Sequence, residues 1–183
     1  GVFAYDGGLA ELDTSEVDSN ALAGLEAADG GRVVARRTRI HGGRASGAFV
    51  HSGGGLDLED CELFDNAFSG VEARDRAAVS IRRTRIHDNE RTGLAVTKNA
   101  TAFVDDVDLA RNGLAGIDVS DAGSIAVQRS RITDGRQHGI LSTRGSKGWG
   151  ATARRSPLAT YHRFLLLAKV WTGPRRFRFR AKA

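Results

Sequence analysis

Glycine recurs at every twenty-third residue, at Gly1, Gly24, Gly47, Gly70, Gly93, Gly116 and Gly139, and no insertion breaks the register. A fixed period of this length places successive segments in equivalent surroundings, so the chain is constrained to a stack of like coils rather than one closed core. One position after each glycine stand Val2, Leu25, Ala48, Val71, Leu94, Ile117 and Ile140, and two further on Ala4, Ala27, Val50, Ala73, Val96 and Val119. Polar residues fill most positions between and after these rows, which is the period-two alternation of a half-buried strand.

Two more such strands complete each coil. The second carries Ala10, Val33, Leu56, Val79, Ala102 and Ile125, then Leu12, Ala35, Leu58, Ile81, Val104 and Val127. The third carries Ser15, Thr38, Cys61, Thr84, Val107 and Ser130, then Val17, Ile40, Leu63, Ile86, Leu109 and Ile132. Turns such as Asp29-Gly30-Gly31 and Ser52-Gly53-Gly54-Gly55 separate the strands. The prediction is an all-β, right-handed parallel β-helix over residues 1–142, with 23-residue coils of three short strands each and like residues stacked on like. A leucine-rich repeat has a similar period, but its leucine spacing is absent and no segment shows helical periodicity. In the last turn the row Asn20, Gly43, Asn66, Asn89, Asn112 and Gly135 selects residues that tolerate a left-handed backbone, so turn geometry with an amide ladder is expected there.

These residues resemble the pectin-lyase-like right-handed β-helix superfamily, with its short repeats of carbohydrate-binding and sugar-hydrolase type. The resemblance covers residues 1–142 and rests on units such as the run from Arg85-Ile86-His87-Asp88-Asn89 through Gly93-Leu94-Ala95-Val96, a strand, an Asn turn, a Gly and a strand. It implies the fold, and it implies either a binding scaffold or a polysaccharide lyase or hydrolase, because this architecture hosts many activities.

Charge divides the chain sharply. Residues 1–142 hold 16 Lys/Arg against 22 Asp/Glu, whereas residues 143–183 hold 11 against none, and the two parts make up the net +5. After Ser142 the apolar rows and every acidic residue stop together, so residues 143–183 read as an irregular basic tail: a cap over the last coil, a polyanion-binding arm, or non-native sequence. Nucleic acid is not the expected partner of the repeat region. With no methionine and an opening in mid-pattern, the sequence is expected to begin inside a longer chain, upstream of which any targeting signal would lie, and its compartment is left unassigned. No apolar run approaches the roughly 20 residues of a membrane span.

On the outer surface acidic coils alternate with basic ones: Asp13, Arg36, Glu59, Arg82, Asp105; Thr14, Arg37, Asp60, Arg83, Asp106; Glu16, Arg39, Glu62, Arg85, Asp108. With neighbouring strands about 4.8 Å apart, each side chain would face opposite charges above and below, which fixes the coil register. That pattern takes Asp105, Asp106 and Asp108 away from a calcium site, which needs six to eight converging oxygens. His41 and His87 are two coils apart and cannot share a metal. Neither a metal nor a cofactor is expected. Cys61 is expected to be a small buried thiol. The run Gly145-Ser146-Lys147-Gly148 lacks the order of a phosphate loop.

The ligand face is expected on the first strands. Its exposed row reads Phe3, Glu26, Phe49, Glu72, Ala95, Asp118 and Leu141, with Tyr5, His51 and Arg74 two positions along. Aromatics stack on sugar rings and carboxylates bind hydroxyls. The expected ligand-binding residues are Glu26, Phe49, His51, Glu72, Arg74 and Asp118, for a polysaccharide or a protein. Should the chain be catalytic, Glu26 and Glu72 are the acid and base candidates, about 9.6 Å apart by strand spacing. No long loop walls a cleft around them, and the leading expectation is a non-catalytic binding surface.

Overall fold

The computed structural model describes residues 1–151. Three parallel sheets of seven, seven and six strands wind around one axis, and every strand pairs in register with the strand 23 residues away. The first sheet holds Val2–Ala4, Leu25–Ala27, Ala48–Val50, Val71–Ala73, Leu94–Val96, Ala115–Val119 and His138–Ser142. The second begins at Leu9–Asp13 and ends at Lys147–Ala151, and the third runs from Glu16–Asp18 to Arg131–Thr133.

The apolar rows close the interior. Leu25, Ile40, Leu63, Ile81, Ile86, Leu94 and Leu109 are almost wholly buried, each contributing roughly 1.5–3 kcal/mol of transfer free energy. The marker glycines from Gly1 to Gly116 stand where this packing leaves no room. A Cβ on Gly70 would lie 2.4 Å from Ile86 Cγ2 and 2.8 Å from the Gly93 oxygen, and Gly24 and Gly116 meet Ile40 and Ile132 in the same way.

Left-handed backbone lies at the corners, but not on the asparagine row. It falls one residue earlier, at Ser19, Gly42, Asp65, Asp88, Arg111 and Asp134, with φ between 53° and 63°. The asparagines serve a different need. Asn66, Asn89 and Asn112 are at most 1% exposed. Asn66 Nδ2 donates to Asn89 Oδ1 at 2.9 Å and Asn89 Nδ2 to Asn112 Oδ1 at 3.0 Å. The same oxygens accept from the backbone N–H groups of Asn66 and Asn89, and the amides also donate to the Ile40, Leu63 and Ile86 carbonyls. Only a carboxamide offers donor and acceptor on one short side chain, so the ladder selects Asn where turn geometry does not. At the other corner Thr84 plays a similar part, accepting from the Cys61 N–H at 3.2 Å and donating to the Arg82 carbonyl at 2.8 Å.

The charge ladders form with a directional bias. Arg39 bonds Glu16 at 3.0 Å, Arg83 bonds Asp60 at 2.8 Å, Arg85 bonds Glu62 at 3.1 Å, and Arg37 and Arg129 pair with Asp13 and Asp105. These arginines reach to the coil before them. Arg39 also lies 3.5 Å from Glu62 in the coil after, and is the ladder arginine that spans both sides. The acids of the third coil are met from both sides, Glu59 by Arg36 at 3.5 Å and by Arg83, and Glu62 by Arg39 and Arg85, whereas Arg37, Arg83, Arg85 and Arg129 each use their short contacts on the coil before.

The coil pattern runs further than residue 142. Lys147–Ala151 pairs with Ser124–Gln128, bringing Gly148 and Gly150 beside Ile125 and Val127. The frame therefore persists for one strand while its inward rows lose their side chains, which is why apolar periodicity stops earlier than the sheet does. The readings of the tail as cap, polyanion arm or non-native sequence otherwise fall on residues 152–183, outside the described residues.

Candidate functional site

The outer row of the first sheet comes into register as a straight line along the axis: Phe3 opposite Glu26, Glu26 opposite Phe49, Phe49 opposite Glu72, Glu72 opposite Ala95, and Ala95 opposite Asp118. The strand pleat sends these side chains outward because Leu25, Ala27, Ala48, Val50, Val71 and Ala73 on either side are drawn into the core. Phe3 and Tyr5, 54% and 59% exposed, form one platform with ring centroids 5.0 Å apart. Two coils on, Phe49 packs against His51 at 4.6 Å, and the Arg74 guanidinium lies 4.6 Å over the Phe49 ring. Glu26 Oε1 sits 3.2 Å from His51 Nε2, while His51 Nδ1 meets the Ser52 hydroxyl at 3.1 Å. Glu72 Oε2 accepts from the Ser46 hydroxyl at 3.2 Å.

Five of the six expected residues, Glu26, Phe49, His51, Glu72 and Arg74, thus form one connected patch across coils two to four. Asp118 does not join it. It lies two coils beyond Glu72, between Ala95 and Leu141, with one carboxylate oxygen buried and unpartnered. Burial raises its pKa, Asp121 adds to the rise, and His138 opposes it. Ser46 had no signal in the sequence, since its contact depends on the loop before Gly47 turning beneath Glu72.

Glu26 and Glu72 have the Phe49 side chain between them on the row, and one oxygen of Glu26 bonds His51. Glu72 and Asp118 are likewise two coils apart on this row, with the smaller Ala95 between them. Cys61 is buried, its Sγ donating to the Ala35 and Glu59 carbonyls at 3.3 Å, and burial pushes the thiol up.

On the third sheet Phe64 is sandwiched between His41 and His87, with centroids 4.5 and 5.3 Å away. His87 faces Glu62 at 3.0 Å and Asp88 at 2.7 Å. Hydrogen bonds from His87 hold Glu62 below the usual carboxylate range, and those from Arg111, with His87 adding, bring Asp88 to about 2. Among the described residues no cluster of three or more His, Cys, Asp or Glu side chains is placed to hold a metal, and no helix is long and apolar enough to cross a membrane. Two shallow hollows lie off the first sheet: about 450 Å³ lined by Asp88, Glu90, Arg111 and Arg136, and about 380 Å³ around Gly55, Ala78 and Phe103 on the second sheet.

Stacked parallel coils of constant period, closed on a thin apolar axis, define a β-helix repeat protein. Residues 1–104 and, overlapping them, 23–154 match the family described as the right handed beta helix region, and the chain belongs to that family. No curated protein and no solved structure matches it.

Proposed function

We propose that this chain is a non-catalytic β-helix domain that binds carbohydrate along the outer face of its first sheet. The observation that carries this reading is the row in which two aromatic positions, Phe3 with Tyr5 and Phe49 with His51 and Arg74, alternate with the carboxylates Glu26 and Glu72. Apolar ring faces of sugars stack on aromatic rings, and carboxylates accept from sugar hydroxyls, so one face supplies both halves of glycan recognition. The flat coils supply a long track without a closed pocket, which suits a polymer better than a small molecule. The test is calorimetric titration of the whole chain against a panel of soluble polysaccharides. Binding that weakens about tenfold or more in Phe3→Ala and Phe49→Ala supports the proposal, the factor that ~1.4 kcal/mol carries. Glycan binding untouched by both substitutions would move the site elsewhere.

A second reading has one specific support. Glu72 and Asp118 stand about 9.6 Å apart by strand spacing, near the carboxyl separation of inverting glycosidases, and burial raises the pKa of Asp118. A protonated Asp118 would serve as general acid and Glu72 as base to a water held over Ala95. Glycan turnover abolished by both Glu72→Gln and Asp118→Asn would favour this reading; binding without turnover favours the first.

A further inference from the structure

The chain repeats at two levels, and the longer one bears on the ligand. Charge alternates coil by coil on the third-strand surface, acidic at Glu59, Asp60 and Glu62, basic at Arg82, Arg83 and Arg85. The core alternates with it: Ile40, Ile86 and Ile132 in the even coils, Leu63 and Leu109 in the odd ones. The corner before the first sheet follows suit, with Leu22, Phe68 and Leu114 exposed in odd coils and Ala45 and Arg91 between them. On the first-sheet face the carboxylates Glu26, Glu72 and Asp118 occupy the even coils, and Phe3, Phe49 and Ala95 the odd ones. The equivalent unit is therefore two coils, and like chemistry recurs along the axis at about 9.6 Å.

Resting on the carbohydrate reading above, we infer that the ligand is an uncharged, extended β-1,4-linked glycan lying along the solenoid axis with one sugar per coil. In such a chain each ring is turned over relative to the last, so chemically equivalent faces recur at every second sugar. The surface likewise repeats its chemistry at every second coil, acidic in the even coils and apolar in the odd ones, so equivalent sugar faces meet equivalent side chains. A polymer with all rings facing one way would set half its sugars against the wrong partner.

Charge selects the neutral member of this class. The row presents carboxylates at Glu26, Glu72 and Asp118. Arg74, on the adjoining row, lies over Phe49 and 3.4 Å from Asp75, whose other oxygen is 3.7 Å from Lys98. A polyuronate would bring a carboxylate on every sugar against this row, and like charges at such range repel.

The experiment is calorimetric titration of the full chain with β-1,4-linked gluco-, manno- and chito-oligosaccharides of increasing length, α-1,4-linked malto-oligosaccharides of equal length, and oligogalacturonates at low salt. The expected result is binding of the neutral β-linked series, tightening with length until the row from Phe3 to Glu72 is covered. Maltose-series binding should be about tenfold weaker or worse, with none detectable for the oligogalacturonates. Phe49→Leu, which keeps apolar packing beside His51 but removes the ring, should weaken the β-series about tenfold and leave the chain folded by circular dichroism. Equal affinity for α- and β-linked oligomers would overturn the matched period while leaving glycan binding intact. Tighter binding of oligogalacturonates would overturn the charge argument, and no binding of any glycan would remove the underlying function as well.

Discussion

At the scale of single residues, the buried amide ladder is where one side chain holds most. Asn89 accepts from the Asn66 N–H and Nδ2 and donates to Asn112, Leu63 and His87. Asn89→Ala strands several of these groups without water, and should cost about 3 kcal/mol or more, read from the urea midpoint at unchanged m-value. Asp118 works the other way. Its folded-state pKa lies above its unfolded value, so the folded chain resists its ionisation. Stability from this group is present below the unfolded pKa of about 3.8 and is lost as pH rises through the higher folded value. Asp118→Asn should therefore raise the melting temperature at pH 7 and make no difference near pH 3. Asp88, lowered to about 2 by Arg111 and His87, carries the opposite sign: its contribution is full above pH 3.8 and fades as pH falls towards 2. Arg111→Ala should flatten that acid limb of the stability profile.

At the scale of elements, the arginine ladders act as a register device more than a store of energy. Exposed pairs such as Arg83 with Asp60 contribute little each, because water and salt screen them. Their value lies in the cost of misalignment, since slipping by one coil sets acid on acid in three rows at once. Reversing one whole strand surface, Arg82→Glu with Arg83→Glu and Arg85→Glu, places three acids between Glu59, Asp60, Glu62 and Asp105, Asp106, Asp108. The triple variant should melt lower than the sum of the single variants indicates, with much of the loss recovered in ~1 M NaCl, where the Debye length is about 3 Å.

At the scale of the whole molecule, a solenoid's stability sums coil by coil through neighbour interfaces, so what matters on deletion is which coils are brought together. Removing residues 47–92 joins a basic, Ile-bearing coil to an acidic, Leu-bearing one, as in the parent. Removing residues 70–92 alone sets Glu59, Asp60 and Glu62 against Asp105, Asp106 and Asp108, and Leu63 against Leu109. We expect the smaller deletion to be the less stable of the two, by urea midpoint. Equal midpoints would mean that any coil accepts any other and that the two-coil unit has no structural force.

Coil length, strand number, parallel pairing and the inward rows were all legible in the sequence, because a constant period leaves a strand one register in which Val33 covers Ala10 and Leu56 covers Val33. The outer row of the first sheet followed for the same reason, and with it Phe49, His51, Glu72 and Arg74 as neighbours. What periodicity cannot carry is the reach and lean of side chains. Arg74 folding over Phe49, Glu26 closing on His51 and Ser46 turning under Glu72 depend on contacts between coils that no spacing encodes. The left-handed corner lay one residue before the asparagines, because composition alone does not separate a residue chosen for its φ from one chosen for a buried amide. Lys147–Ala151 joined the second sheet although its inward positions are glycines, because backbone hydrogen bonds to the previous coil continue a parallel sheet even where side chains no longer fill the core.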